Sequence, residues 1–413
     1  MPCPLNTADG VPIMTPFPED IQEDRQRLHE AGPVTKVELP GEVRVWATTH
    51  HDVSKSVLGD PRFARNPKHW EALRTGEVPE TWPLIGVLSR DEINMLGLDG
   101  APHRRMRQLT AYPFSARRVE RLRPHIERIT AHYLDTLEDR AHEPLDLKPE
   151  FTFKVPITVV GELYGIDEKD YVFLGDLYAR LFFVDTDEGE HLRIYSQLYE
   201  FFTELVARKK ADPDQYDDFA TDLLKATEEG KDPLTEEEVV ITMLMVLAAG
   251  HETTVNLLNN AILALLDHPG EHKKLLEGEY TWEQVIEETL RYNPPNNSIM
   301  FRYATEDVEL EGAKISKGEA VLTHYGAITK DANKHKDPHV FDPGREERRH
   351  ISFGHGPHMC PGAALARLEA RIVLPMLFER FPDLELAVPR EELRNEPALI
   401  VNSLKEFPIL LRP

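Results

Sequence analysis

The stretch that most limits how this chain can fold begins at Thr235. Thr235-Glu236-Glu237-Glu238 is a capping box, in which the threonine hydroxyl and the Glu238 carboxylate each satisfy an amide that a helix leaves open in its first turn. Apolar residues then cover almost every face up to Leu247, resume at Val255 and stop at Asp267-His268-Pro269-Gly270. The pattern predicts one helix of about 32 residues, roughly 48 Å at 1.5 Å per residue. A helix that long and apolar all round at its middle crosses the interior of a large body. The run from Val239 to Gly250 is interrupted by Thr242 and ended by His251 and Glu252, short of the roughly twenty residues a bilayer helix requires.

Other segments follow from the same rules. Thr35–Leu39 and Val43–Thr48 flank Pro40-Gly41 and predict a hairpin. From His103 to about Leu266 nearly everything reads as helix, with breaks at Pro144–Glu150 and Asp212–Gln215. Thr281 with Gln284 caps another helix that ends before Asn293-Pro294-Pro295. Strands follow at Val308–Leu310 and Ala320–Tyr325, a helix follows Cys360, and 384–411 reads as short strands. Pro375 falls inside that last helix and is expected to kink it. The fold class expected is mainly α with a minor, segregated β part: about 1–60, 296–330 and 384–413 rich in strand, about 100–295 and 361–380 helical.

Composition narrows the function. The 413 residues are 41% hydrophobic, the balance of a globular protein. There are 48 Lys+Arg against 72 Asp+Glu, and a net charge of -24 repels phosphate backbones, which excludes nucleic acid as a partner. Met1–Asp20 carries prolines and acids where a secretory leader needs a basic start and an apolar run. Two cysteines, Cys3 and Cys360, with Cys3 in a terminal segment, argue against a structural bridge and for a reducing, cytoplasmic setting.

Cys360 stands in Phe353-Gly354-His355-Gly356-Pro357-His358-Met359-Cys360-Pro361-Gly362. Glycines one residue apart permit a tight turn and close backbone approach to something bulky. Pro361 suits the first position of the next helix, which puts Cys360 at a helix N-terminus, where dipole and open amides favour thiolate. A thiolate there is a nucleophile with His358 as its base, a metal ligand, or a half-buried structural cysteine. Sole axial ligation of a haem iron also accounts for the aromatic residue, the glycines and the basic neighbour.

This pattern, followed by Ala363-Ala364-Leu365-Ala366-Arg367, resembles the haem-binding loop of the cytochrome P-450 family of haem-thiolate monooxygenases. With three further patterns in matching order, the likeness covers nearly the whole chain. It is nearest to soluble bacterial members, the actinobacterial ones that hydroxylate steroids and macrolide-like molecules. The resemblance implies a single haem domain over 1–413, a triangular helical body around the prosthetic group with a small β region. The cofactor is haem b with Cys360 on the iron, and Phe353 and Gly362 belong to its cradle.

Ala249-Gly250-His251-Glu252-Thr253-Thr254 lies inside the long helix, where a glycine costs about 1 kcal/mol relative to alanine. Ala249 and Thr253 share a face that Gly250 adjoins, and a threonine bonding back to the carbonyl four residues earlier loosens the ladder. Those small residues open a groove for a diatomic molecule and a water. In the resembled family such an acid–threonine pair delivers protons to dioxygen, and Glu252 and Thr253 match it.

Glu288 and Arg291, three apart on one helix face, match a buried ion pair of the family that Arg345 joins, a structural role. Haem propionates need cationic partners, and His103, Arg107, Arg302 and His358 match those positions. Arg104, Arg105, Arg107, Arg117 and Arg118, with Arg345, Arg348 and Arg349, form a basic face expected to dock an acidic ferredoxin.

Substrate contacts are expected from Trp82, Leu88, Phe182, Met245, Ala248, Ser298, Ile299 and Leu404, and from Asn296 and Asn297 as hydrogen-bond partners. They are mostly apolar, which suits a hydrophobic small molecule. The reading is a soluble, monomeric monooxygenase. It inserts one atom of O2 into a C–H bond, with electrons from NAD(P)H through a ferredoxin and its reductase. Alternatives are a peroxide-driven or coupling and ring-closing haem-thiolate enzyme, and a haem sensor without turnover.

Overall fold

The computed structural model describes residues 5–79 except 17 and 19, then 82 and 84, 94–177 except 172 and 176, 188–227 and 232–413. Leu88, Phe182 and Cys3 lie outside the described residues.

Helix α1 (Ile21–Glu30) is capped by Asp20, whose carboxylate accepts from the Gln22 amide at 2.7 Å. Strands β1 (Val34–Leu39) and β2 (Val43–Thr48) form the expected hairpin, antiparallel from Val34↔Thr48 to Leu39↔Val43. After α2 (His51–Gly59) comes β3 (Phe63–Ala64), and much later β5 (Ile299–Ala304) and β8 (Ala320–Thr323). These join one sheet in the order β1-β2-β8-β5-β3, with β2 and β8 parallel and a bulge in β5 between Ile299 and Arg302. Strands β6 (Val308–Leu310) and β7 (Ala313–Ile315) make a separate hairpin. Strands β4 (Leu145–Asp146), β9 (Glu385–Leu386) and β10 (Pro408–Leu410) make a third sheet with β10 central.

The helical body comprises α3 (Gly100–Leu109), α4 (Arg123–Glu138), α5 (Lys154–Leu163), α6 (Glu188–Ala211), α7 (Glu236–Asp267), α8 (Trp282–Tyr292) and α9 (Ala363–Arg380). Helix α7 has the bounds its caps predict. Thr235 Oγ1 accepts from the Glu238 amide at 3.1 Å, and Glu238 Oε2 accepts from the Thr235 amide at 2.8 Å. At its other end the His268 ring meets the Ala264 carbonyl at 2.8 Å. Helices α5, α6, α8 and α9 pack around α7, and one apolar cluster fills the space between them. By length and mean hydropathy (1.3) α7 does suffice to cross a bilayer, against the expectation from its interrupted apolar run. However, 67% of that window is buried inside the protein, as a core helix requires.

Three local readings need correction. The strand expected over Ala320–Tyr325 stops at Thr323, because His324 caps a helical turn, Tyr325–Ile328, by accepting from the Ala327 amide at 2.9 Å. The break at Pro144–Glu150 holds β4 and a single π-helical turn, Lys148–Thr152. Pro361 precedes the helix it was expected to start, since Gly362 is the N-cap of α9. That helix runs through Pro375 to Arg380.

Candidate functional site

Burial along α7 is interrupted where the sequence turns small. Val239–Val240, Met243 and Leu257–Leu258 are at most 2% exposed, yet Ala249 is exposed, and Ala248, Gly250, Glu252 and Thr253 are only half-buried. A Cβ on Gly250 would meet no atom within 4 Å, so the middle of a core helix faces open space. Thr253 Oγ1 donates to the Ala249 carbonyl at 2.7 Å and Thr254 Oγ1 to the Gly250 carbonyl at 2.8 Å, so two consecutive back-bonds load the ladder there. Glu252 Oε1 accepts from Ser403 Oγ at 3.0 Å, and burial raises the Glu252 carboxyl above its ordinary range against the pull of Lys148 and Ser403.

Cys360 lies just ahead of α9, which packs along α7. Its amide donates to the Phe353 carbonyl at 2.8 Å and closes the loop. Gly356, at φ +73°, lets that loop approach α2, where a Cβ would come within 2.8 Å of the Leu58 carbonyl oxygen. Arg367 stacks over Phe353 at 4.5 Å and pairs with Glu287 at 2.6 Å. The thiol departs from expectation: burial raises its pKa, outweighing the amides of Gly362 and Ala363 and the charges of Arg107 and Arg367. A coordinated metal ion deprotonates such a thiol outright.

Around it stand basic side chains, His358 with Asp99 at 3.9 Å. Arg302 is buried, its Nε has no partner, its Nη2 reaches only the Leu58 carbonyl at 3.4 Å, and its pKa falls to about 9 through burial and then the charge of Arg65. His103 falls to about 4 through burial and then Arg107. His358, its ring 4.0 Å from that of His103, is pushed far down by burial and then by Arg302 and Arg65. Arg107 donates to the Met359 carbonyl at 2.6 Å. Two neighbours escaped the sequence reading: Arg65, buried with Nη1 on the Phe301 carbonyl at 3.0 Å, and Tyr325, whose buried hydroxyl has no partner among the described residues.

Glu288 accepts from Arg291 Nε at 2.8 Å, Arg291 Nη2 at 2.7 Å and the Asp342 amide at 2.8 Å, with Arg345 Nε at 3.4 Å. That network is buried and fastens α8 to the segment leading into the cysteine loop. Arg345 therefore points inward and is no part of a basic face. Arg105 is held by Glu238 at 2.6 Å, Arg118 by Asp217 and Asp222 at 2.8 Å, and Arg349 by Glu347 at 2.9 Å. Arg104 and Arg117 are exposed, with no ion pair among the described residues.

Several expected substrate contacts are core. Trp82 is 2% exposed, packs edge-on against Trp70 at 5.6 Å and donates to the Pro40 carbonyl, because it seals the β1–β2 turn. Ser298 is buried with its hydroxyl on the Leu399 carbonyl at 2.6 Å, and Asn297 Oδ1 accepts twice from Arg25. Met245 and Leu404 belong to the main apolar cluster, and Ala248 borders the bared stretch of α7. Ile299 is described by its backbone in β5.

The donor set decides what this place holds. Among the described residues no group of three His, Cys, Asp or Glu converges on a point, so a metal held by Cys360 must bring its other ligands with it. Orphaned Arg302 and Tyr325 atoms call for anionic groups beside it. A metallo-macrocycle carrying carboxylates meets both demands, which defines a haem-thiolate protein. A family model described as Cytochrome P450 matches residues 157–405. The 2-hydroxy-5-methyl-1-naphthoate 7-hydroxylase of Streptomyces carzinostaticus is 38% identical, with 97% of each chain covered. The monooxygenase PikC of Streptomyces venezuelae is 34% identical over 96% of this chain and 92% of its own. Testosterone-bound CYP154C4 from Streptomyces sp. ATCC 11861 superimposes with a TM-score of 0.92 at 44% identity, covering 97% of this chain and 98% of that one. The chain belongs to the cytochrome P450 family and is a haem-dependent monooxygenase.

Proposed function

We propose that this enzyme hydroxylates an apolar ring system of the size of a steroid or macrolide, taking electrons from NAD(P)H through a ferredoxin and its reductase. The bared stretch at Ala249–Thr253 in a core helix carries this reading. Bound haem supplies the iron at which dioxygen is activated. The chain supplies the rest. Cys360 holds the metal; Arg65, Arg302, His103, His358, Arg107 and the Tyr325 hydroxyl receive the propionates. Thr253 donates its own proton to Ala249, so its oxygen remains an acceptor toward the open face. Glu252, kept protonatable by burial, stands next to it as the proton donor.

Ala248, at the edge of the bared stretch, offers apolar contact, which agrees with the aromatic acid acted on by one relative and the steroid held by another. Beside Cys360 a hollow of about 520 Å3 opens between α3 and α9, lined by Arg107, Phe114, Met359, Arg367 and Arg371. Arg104 and Arg117 are exposed on the two segments that contribute Arg107 and Ala116 to its lining, and this narrower patch is where the ferredoxin docks. The enzyme acts as a single haem domain, a monomer in the cytoplasm. Difference spectra against steroids, macrolides and aromatic acids, followed by turnover under labelled O2, test the reading. A labelled hydroxyl in an apolar product is expected; response to none of these ligands overturns it.

A further inference from the structure

The oxygen-side acid is joined to the surface by a second set of side chains. A π-helical turn is rare and concentrates at functional sites. Here it presents Lys148 and Thr152 to α7. Lys148 is 9% exposed, and its Nζ donates to Ser403 Oγ at 3.0 Å and to the Leu404 carbonyl at 2.7 Å. Ser403 is 1% exposed and passes its own hydroxyl proton to Glu252 Oε1 at 3.0 Å. At the outer end Glu396 Oε1 lies 3.8 Å from Nζ and is 20% exposed, while its amide donates to the Ser403 carbonyl at 2.8 Å. The two inner links run from donor to acceptor toward α7, Nζ to Ser403 Oγ and Ser403 Oγ to Glu252, while at the outer end the Glu396 carboxylate faces Nζ as its ion-pair partner. Asn256, one turn further along the Glu252 face, exerts a weaker pull on that carboxyl, short of a direct hydrogen bond. Thr152 Oγ1 donates to Asn259 Oδ1 at 2.7 Å, so the π-turn lines a polar stripe of Glu252, Asn256 and Asn259.

We propose that Lys148, Ser403 and Glu396 are positioning residues that form the route by which solvent protons reach Glu252. The inference rests on Glu252 being the proton donor of the reaction. One transfer moves a proton from Nζ to Ser403 Oγ as the Ser403 hydroxyl proton passes to Glu252 Oε1. Neutral Nζ then regains a proton from water, directly or by way of Glu396 once that carboxylate has itself taken one from solvent, and the Ser403 hydroxyl rotates back. Each cycle carries one proton inward and changes no oxidation state.

The test compares Lys148→Met, Lys148→Arg, Ser403→Ala and Glu252→Gln. The first readout is turnover: NAD(P)H consumed, product formed and peroxide released, with the ratio followed from pH 6 to 9. The second is independent of turnover: the infrared carboxyl band of Glu252, assigned as the band lost in Glu252→Gln and titrated in the resting protein. Lys148→Met and Ser403→Ala are expected to lower product per NAD(P)H about tenfold. That is less than the roughly hundredfold of a whole proton-transfer group, because water still reaches Glu252. Lys148→Met keeps the carboxyl band protonated to higher pH; Lys148→Arg restores that titration by keeping the charge but leaves coupling low, because a guanidinium does not give up its proton. Wild-type coupling and titration in Lys148→Met, with Glu252→Gln uncoupled, overturn the route and leave Glu252 as donor. Wild-type coupling in Glu252→Gln overturns both.

Discussion

Glu369, inside α9, is 2% exposed, and its Oε2 has no hydrogen-bond partner. Burial alone pushes its pKa up to about 8, from 4.5 for the free side chain. The folded protein thus binds a proton there that the unfolded chain releases above about pH 4.5, and stability falls as pH rises between those two values. Integrating the difference gives a penalty of about 1 kcal/mol at pH 5 and about 4 kcal/mol at pH 8, a change of about 3.5 kcal/mol. Glu369→Gln keeps the shape and removes the titration. Urea unfolding of the two proteins at pH 5 and pH 8, followed by circular dichroism, is expected to show the glutamine variant gaining on wild type by about that amount across the interval. Every other titrating group cancels in the difference. A stability difference between the two proteins that is constant with pH would refute the reasoning, since the carboxyl would then ionise in place.

Glu288→Ala leaves two buried guanidinium groups without their carboxylate and is expected to cost about 3–5 kcal/mol in chemical unfolding, with reduced haem content at 280 nm-normalised Soret absorbance. Thr253→Ala removes the acceptor on the open face of α7; NAD(P)H electrons are expected to emerge largely as peroxide while substrate-binding spectra stay unchanged. Arg104→Glu combined with Arg117→Glu should slow ferredoxin-supported reduction about tenfold at low salt, the gap closing as salt rises, as stopped-flow absorbance would show. Arg105 is avoided in that pair, because it holds the capping carboxylate of α7.

Features written in local chemistry were legible. The capping boxes at Thr235 and Thr281 place the starts of α7 and α8, and Pro40-Gly41 places the hairpin, because each signal acts within a few residues of its effect. What depends on distant partners was not. His324 ends a strand through a side-chain cap that an apolar run does not announce. Trp82 reads as a pocket residue until Trp70 and Phe301 are seen beside it. The basic face shrank because Glu238, Asp217 and Asp222 come from segments distant in the chain from the arginines they hold. Arg65 and Tyr325 belong to no short motif, and their place among the cations arises only when β3, β5 and the Tyr325 turn converge. Lys148 sits in a stretch that prolines mark as irregular, and nothing local distinguishes a π-turn from a loop.

The close approach of Gly356 to Leu58 and Gly59 sets the order in which this protein becomes competent. Some three hundred residues separate the two strips of backbone, so in a nascent chain the Leu58–Gly59 strip waits for the sulfur-bearing loop until synthesis is nearly finished. Capture of the prosthetic group is therefore late, and the earlier-made N-terminal portion acts as the template on which the loop sets.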